Sequence, residues 1–379
     1  MDFLRFPPSA PMTPPAPFTP EDAAHMARAL RLAEQGLYTT DPNPRVGCVI
    51  VKDGQVVGEG WHRKAGGPHA EVFALQAAGE QARGATAYVC LEPCSHHGRT
   101  PPCADALIQA GIARVVAAMQ DPNPRVAGNG LKRLAEAGVE TACGLLETDA
   151  EALNPGFCKR MRTGRPWVRS KLAMSLDGRT AMASGESKWI TGPDARRDVH
   201  RLRARSSAIV TGIDTVLADD PELTARLGED AGEIIQPVRV VLDSTLRLPA
   251  TAKLATDGGR TVVLTAVDPA YRPEVSTMEI RRLPAGADGR LDLLAIIDWL
   301  GRTDCNEVLI EAGPTLNGAL LRAGLADEWT VYLAPVVLGD GGRGLFHLPE
   351  LERIADRYEL ALRDVRKVGR DVRMTFGKE

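Results

Sequence analysis

No apolar run in the sequence approaches the roughly 18 residues that a membrane-crossing helix needs, so no membrane span is expected. Positive charge is not in excess either. Lys and Arg number 46 against 49 Asp and Glu, a formal net charge of -3, which leaves no global field to hold a polyanion and disfavours a nucleic-acid partner. A secretory signal is also lacking: residues 1–20 hold seven prolines, and Asp2 and Arg5 interrupt any apolar core, so the segment reads as a Pro-rich extended tail. The seven cysteines are an odd number in a long chain without such a signal. That excludes a disulfide framework as the expectation and points to reduced thiols and the cytoplasm.

What is present is ordinary globular composition, 44% hydrophobic and 25% charged over 379 residues. At about 150 residues per domain this length implies two domains. Thr19-Pro20-Glu21-Asp22 opens an amphipathic stretch to Gly36, with a capping hydroxyl, proline in the first turn and acids near the positive helix end, which predicts a helix. Val46–Val51 and Val56–Gly60 flank an Asp53-Gly54 turn and read as a hairpin. Helix-like segments at His69–Ala78, Cys103–Ala110 and Leu131–Ala137 then alternate with strand-like ones at Ala87–Cys90, Val115–Ala118 and near Val139. The alternation predicts a largely parallel sheet with helices on both faces. Breakers and basic residues around Asn154–Gly156 and Thr163–Pro166 place the domain break near 165, giving a tail (1–20), a first domain (21–165) and a second α/β domain (166–379). The hexapeptide DPNPRV occurs at Asp41–Val46 and at Asp121–Val126, and reads as two proline-restricted turns rather than a repeat.

His69-Ala70-Glu71, followed by Pro93-Cys94 and Cys103, carries the chemistry. An imidazole and two thiolates suit Zn²⁺, and three protein ligands leave the fourth tetrahedral position for water. Cys103 follows Pro101-Pro102 and falls in a first helical turn, where the dipole favours its thiolate. Glu71, two positions from His69, points away from direct ligation and suits a general acid/base, as in zinc deaminases that act on an amino-bearing ring carbon. Eight residues separate the cysteines, a longer loop than the usual Cys-x-x-Cys, and Arg99 among His96 and His97 could receive a phosphate. The competing reading is a purely structural site, with His96 as its fourth ligand.

The sequence resembles the bifunctional riboflavin-biosynthesis deaminase/reductase family through PNPRVGCVIV (Pro42–Val51), GPHAE (Gly67–Glu71), EPCSHHGRTPPC (Glu92–Cys103), KLAMSLDGRTA (Lys171–Ala181), SKWIT (Ser187–Thr191), ADDPELTAR (Ala218–Arg226) and EAGPTLNGAL (Glu311–Leu320). The resemblance spans nearly all of 21–379. It implies a cytidine-deaminase-like three-layer α/β/α domain followed by a dihydrofolate-reductase-like α/β domain, with one Zn²⁺ and NADPH as cofactors. The implied substrate is 2,5-diamino-6-ribosylamino-4(3H)-pyrimidinone 5′-phosphate, deaminated and then reduced at its ribosyl chain. By the resemblance Asn43, His62, His96 and Arg99 contact the pyrimidine or phosphate. Ala173, Trp189, Thr215, Asp219, Ser244 and the turn from Gly313 line the nucleotide; Ser187, Arg203, Leu223, Arg226 and Glu311 line the sugar phosphate. Lys171, Asp219 and Glu311 are the titratable candidates at the reduced carbon, and the sequence does not rank them. A homo-oligomer is a further implication. The alternative is a zinc base deaminase of nucleic acid with an unrelated second domain.

Overall fold

Thr19 opens the first helix through a capping box: its hydroxyl accepts from the Asp22 N–H at 3.1 Å, and the Asp22 carboxylate accepts from the Thr19 N–H at 3.0 Å. In the computed structural model, which describes residues 18–95, 102–124, 126–228, 232–268, 270 and 278–378, the chain divides into two compact units. One comprises the residues up to Gly36 with Arg45–Leu153. The other comprises Leu37–Pro44 with Asn154–Glu379. The packing thus divides after Leu153, ahead of the expected break near 165, because the helix at Pro155–Thr163 packs on the second unit: Gly156 lies so close beneath the Asn306 carbonyl that a Cβ there would sit 2.3 Å from it. Leu37–Pro44 joins the same unit. The Asp41 carboxylate accepts from the Ser207 hydroxyl and the Asn306 amide, both at 3.0 Å.

The first unit runs α1 (Pro20–Ala33), β1 (Gly47–Lys52), β2 (Gln55–Trp61), α2 (Ala70–Ala78), β3 (Thr86–Val89), α3 (Cys103–Gln109), β4 (Arg114–Ala117), α4 (Asn129–Glu136), β5 (Glu140–Cys143) and α5 (Glu147–Leu153). Its sheet has the order β2-β1-β3-β4-β5. The expected hairpin followed by a largely parallel sheet is what forms, with β1 alone running against the other four strands. β1 is antiparallel to both neighbours, since the two-residue Asp53-Gly54 turn forces β2 to reverse, and α2 then carries the chain over β1 to β3. The β3-β4 and β4-β5 pairs are parallel.

Helices cover both faces. A Cβ on Gly47 would lie 2.0 Å from the Ala29 carbonyl of α1, and one on Gly60 would lie 2.4 Å from the Ala70 carbonyl of α2, so glycine at each position lets a helix seat directly on the strand. Ala70, Ala74, Ala104, Leu107 and Leu134 of α2, α3 and α4 share one core with Cys48, Ile50, Ala87, Val89 and Val115. Small residues on α2 bring its first turn, and the residues at it, close to the sheet.

The second unit runs α6 (Pro155–Thr163), β6 (Trp167–Met174), β7 (Arg179–Ala181), α7 (Pro193–Ala204), β8 (Ala208–Gly212), α8 (Ile213–Asp219), β9 (Val238–Leu242), α9 (Lys253–Thr256), β10 (Thr261–Thr265), β11 (Glu279–Arg282), α10 (Leu293–Arg302), β12 (Glu307–Ile310), α11 (Pro314–Arg322), β13 (Glu328–Leu333), β14 (Arg343–Gly344), β15 (Ala361–Val368) and β16 (Asp371–Gly377). Its main sheet has the order β11-β10-β9-β8-β12-β6-β13-β16-β15, parallel from β11 to β13 and antiparallel beyond. Alternate residues of the parallel strands feed two cores, Val240, Val262 and Val308 to one and Val241, Val263 and Leu309 to the other. Burial on both faces explains why these strands read as continuous apolar runs. Among the described residues, no helix is long and apolar enough to cross a membrane.

Candidate active sites

His69 is the N-cap of α2, and its extended backbone turns the imidazole toward the start of α3. Its Nδ1 lies 3.7 Å from the Cys94 Sγ and 3.3 Å from the Cys103 Sγ. All three donor atoms fall within 4.8 Å of one another. The Cys103 backbone N–H donates to the Cys94 Sγ at 3.3 Å, as a helix N-terminus does for an anion. The thiols are coupled. A hydrogen bond from Cys103 lowers Cys94 to about 4, with His69 assisting against burial, whereas its bond to Cys94 and then burial push Cys103 far up. A divalent cation bound here would displace the protons of the thiols. One nitrogen and two sulfurs at this spacing fit zinc in an open site.

Glu71 stands in the first turn of α2, 3% exposed, and its Oε2 has no hydrogen-bond partner among the described residues. Burial raises its pKa, the His69 charge opposes the rise and Cys94 adds to it. An orphaned buried carboxylate oxygen beside a metal-ligand trio is costly unless the site is built to receive a polar group there. His62, 2% exposed, packs edge-on against His69 with ring centroids 5.3 Å apart and donates from Nδ1 to the Pro68 carbonyl at 3.0 Å. Burial lowers its pKa. Asn43 lies in Leu37–Pro44, the segment that packs with the second unit. His96 and Arg99 lie outside the described residues.

In the second unit the carboxyl ends of β6, β8, β9 and β12 open onto one cleft, the usual ligand position in an open α/β sheet. Every residue expected from the sequence to serve the reductase lies on its wall: Lys171, Ala173, Ser187, Trp189, Arg203, Thr215, Asp219, Leu223, Arg226, Ser244, Glu311 and Gly313. Arg203 grips the Glu311 carboxylate with Nε at 2.5 Å and Nη2 at 3.0 Å, and the Lys171 Nζ stands 3.7 Å away. Burial alone would raise Glu311, but Arg203 and Lys171 hold it at about 2, firmly ionised. Lys188 donates to the Asp219 carbonyl at 3.0 Å with its ammonium 3.5 Å from the carboxylate. Trp189 is 69% exposed at the mouth, with the Arg196 guanidinium 4.8 Å over its ring. Gly313 caps α11 with no side chain in play, and a Cβ there would meet nothing within 4 Å, so the turn faces open space with its amides available to a phosphate.

Two features escaped the sequence reading. His200 on α7 lies on the cleft wall with its Nδ1 3.1 Å from the Thr224 carbonyl and 3.1 Å from the Arg226 N–H, steadying the turn that carries Arg226. Burial, Arg203 and Arg226 all lower its pKa. Glu92, two residues before Cys94, is buried and accepts four backbone N–H groups. In each case the partners are far apart in sequence, and only the motif letters themselves gave a signal.

The first unit has the fold and site of a zinc-dependent ring deaminase, and the second is an α/β domain with a ligand cleft at the carboxyl ends of its parallel strands. The family described as "Cytidine and deoxycytidylate deaminase zinc-binding region" matches residues 19–119, and "RibD C-terminal domain" matches 166–374. The chain is 55% identical over 362 residues to the riboflavin biosynthesis protein RibD of Escherichia coli (strain K12), covering 93% of this chain and 98% of that protein. It is 49% identical over 373 residues to RibD of Haemophilus influenzae, covering 95% and 98%. The solved structure of Acinetobacter baumannii RibD, form 1, superposes with a TM-score of 0.89 at 49% identity, covering 95% of this chain and 99% of that one. A Thermotoga maritima diaminohydroxyphosphoribosylaminopyrimidine deaminase/5-amino-6-(5-phosphoribosylamino)uracil reductase superposes at 0.84 with 34% identity, over 95% and 99%.

The chain belongs to the RibD family. It is a bifunctional riboflavin-biosynthesis enzyme, a zinc deaminase and an NADPH-dependent reductase acting on a small pyrimidine, and a nucleic-acid deaminase with an unrelated second domain is not favoured.

Proposed function

We propose that the first unit removes the 2-amino group of 2,5-diamino-6-ribosylamino-4(3H)-pyrimidinone 5′-phosphate and that the second reduces the ribosyl chain of the product to ribityl. The observation that carries this reading is the His69, Cys94 and Cys103 trio beside the buried, half-unpartnered Glu71 carboxylate. His69, Cys94 and Cys103 hold the zinc, which when bound supplies the Lewis acidity that makes water nucleophilic near neutral pH. Glu71 takes a proton from the attacking water and hands it to the amine as C2–N breaks. Water's oxygen stays on C2, ammonia leaves, and the ring becomes a uracil. His62 takes the polar edge of the ring, with His96 and Arg99 as contacts to the ring or the phosphate.

NADPH, when bound in the cleft, would supply the hydride that reduces C1′ of the opened ribosyl group, and the ring oxygen released there needs a proton. What supports Lys171 as the donor is the state of its neighbour. Glu311, ionised by Arg203, has no proton to give, while the Lys171 ammonium at 3.7 Å does. Arg203, Arg226, Ser187, Leu223 and Glu311 hold the sugar phosphate; Ala173, Trp189, Thr215, Asp219, Ser244 and the Gly313 turn hold the nucleotide. A cytoplasmic place, supported by seven free thiols, and a homo-oligomeric state belong to the same reading.

Glu71→Gln tests it. Ammonia release from the free pyrimidine phosphate should fall by about 10² to 10⁴ with zinc retained. Normal deamination by the variant, or ammonia from RNA in place of the free pyrimidine, would overturn the assignment.

A further inference from the structure

We infer that Glu92 positions the metal centre by fixing Cys94, resting on the reading that His69, Cys94 and Cys103 bind zinc. Glu92 is 3% exposed, and both carboxylate oxygens are fully used. Oε1 accepts from the N–H groups of Gly130 at 2.8 Å and Leu131 at 3.2 Å; Oε2 accepts from those of Gly128 at 2.9 Å and Asp121 at 3.1 Å.

These amides include the first turn of α4, a helix whose N-cap, Gly128 in the left-handed region, offers no capping side chain. Glu92 is the cap, delivered from another part of the chain, and its charge sits at the positive end of α4. Gly130 lets the helix close on the next residue, since a Cβ there would lie 1.9 Å from the Pro93 carbonyl oxygen. Two residues on, Cys94 binds the start of α3 in the same way. Its carbonyl accepts from the Ala104 N–H at 3.1 Å and its Sγ from the Cys103 N–H at 3.3 Å.

Glu92-Pro93-Cys94 therefore stitches the N-termini of two helices together, with the carboxylate anchoring one end and the metal-ligand sulfur standing at the other. The position of Cys94 relative to Cys103 and His69 is set by where Glu92 is held. Groups that orient ligands from outside typically change metal affinity by about 10- to 100-fold.

Glu92→Gln keeps the volume but turns one acceptor oxygen into an NH₂ aimed at two backbone N–H groups, which it cannot satisfy. In the full-length chain this variant should bind zinc about 10- to 100-fold more weakly in competition with a chromophoric chelator. Its Co²⁺-substituted form should show shifted ligand-field bands, and ammonia release should lose kcat at near-constant KM with saturating zinc. NADPH oxidation with already deaminated substrate should be unchanged, and a cooperative melting transition of the first unit reports its intact folding.

A folded Glu92→Gln protein with wild-type zinc affinity and wild-type Co²⁺ bands would overturn the inference, whatever its melting point. If the variant does not accumulate, Glu92→Asp carries the same readings, with weakened zinc binding expected and unchanged binding overturning. Failure of the wild-type chain to bind zinc would instead refute the ligand assignment itself.

Discussion

Replacing Arg203 with Met removes the guanidinium that neutralises Glu311 at 2.5 and 3.0 Å, and leaves the carboxylate buried with the Lys171 ammonium 3.7 Å away. The cost follows from the protonation equilibrium. Arg203 and Lys171 hold Glu311 at about 2 against an ordinary 4.5, and at about 1.4 kcal/mol per pH unit the ionised form is favoured by roughly 3 kcal/mol. Breaking a buried ion pair from one side costs about 3 to 5 kcal/mol, which sets the expected loss.

The sign of the pH dependence is the sharper test. In the native chain the folded value lies below the unfolded one, so the stability from Glu311 is present above about 4.5 and is lost as pH falls toward 2. In Arg203→Met, burial is opposed only by Lys171 and, more weakly, His200, and the carboxyl rises. The deficit then appears at neutral pH and shrinks on acidification. Calorimetry of the full chain should show the reductase transition lowered at pH 7 and partly recovering near pH 5, with NADPH oxidation lost at both. A reductase transition and turnover unchanged at pH 7 would refute the role given to this pair.

Removing zinc with a chelator should abolish ammonia release and leave NADPH oxidation of the deaminated substrate intact, because the two cofactors serve different units; parallel loss of both would count against this. Gly60→Ala should push the first turn of α2 off β2, since its Cβ would lie 2.4 Å from the Ala70 carbonyl, at a cost of about 1 to 3 kcal/mol and with reduced deamination. In the Asp22, Tyr88 and Arg114 network, burial works to raise Asp22, but hydrogen bonds from Arg114 and Tyr88 hold it at about 2. Its contribution is present above about pH 4 and lost as pH falls toward 2, so Asp22→Asn should flatten the acid limb of the deaminase melting curve.

Elements whose signals are local were legible in the sequence. Thr19 with Asp22 announced α1, Asp53-Gly54 announced the hairpin, and β9 spans the expected Val238–Leu242. The direction of β1 relative to β3 was not legible, because alternation of helix and strand does not say which strand the crossover passes over. The unit to which Leu37–Pro44 belongs was hidden for a similar reason, since Asp41 meets Ser207 and Asn306 only after folding. For the sites, His69, Glu71, Cys94 and Cys103 could be read from spacing because zinc chemistry demands those residue types. Arg203 and Glu311, far apart in sequence, were brought together only by the family resemblance. Glu92 stood in plain view beside Pro93-Cys94, but its function depends on four amides between Asp121 and Leu131.

The most direct measurement supplies the zinc-loaded chain with the diaminopyrimidinone ribosyl phosphate and NADPH, and follows ammonia and nicotinamide absorbance together. Ammonia should appear first, with NADPH oxidation following to an equal amount. NADPH consumption without prior ammonia release, or ammonia release with no later oxidation, would contradict two consecutive reactions on one chain.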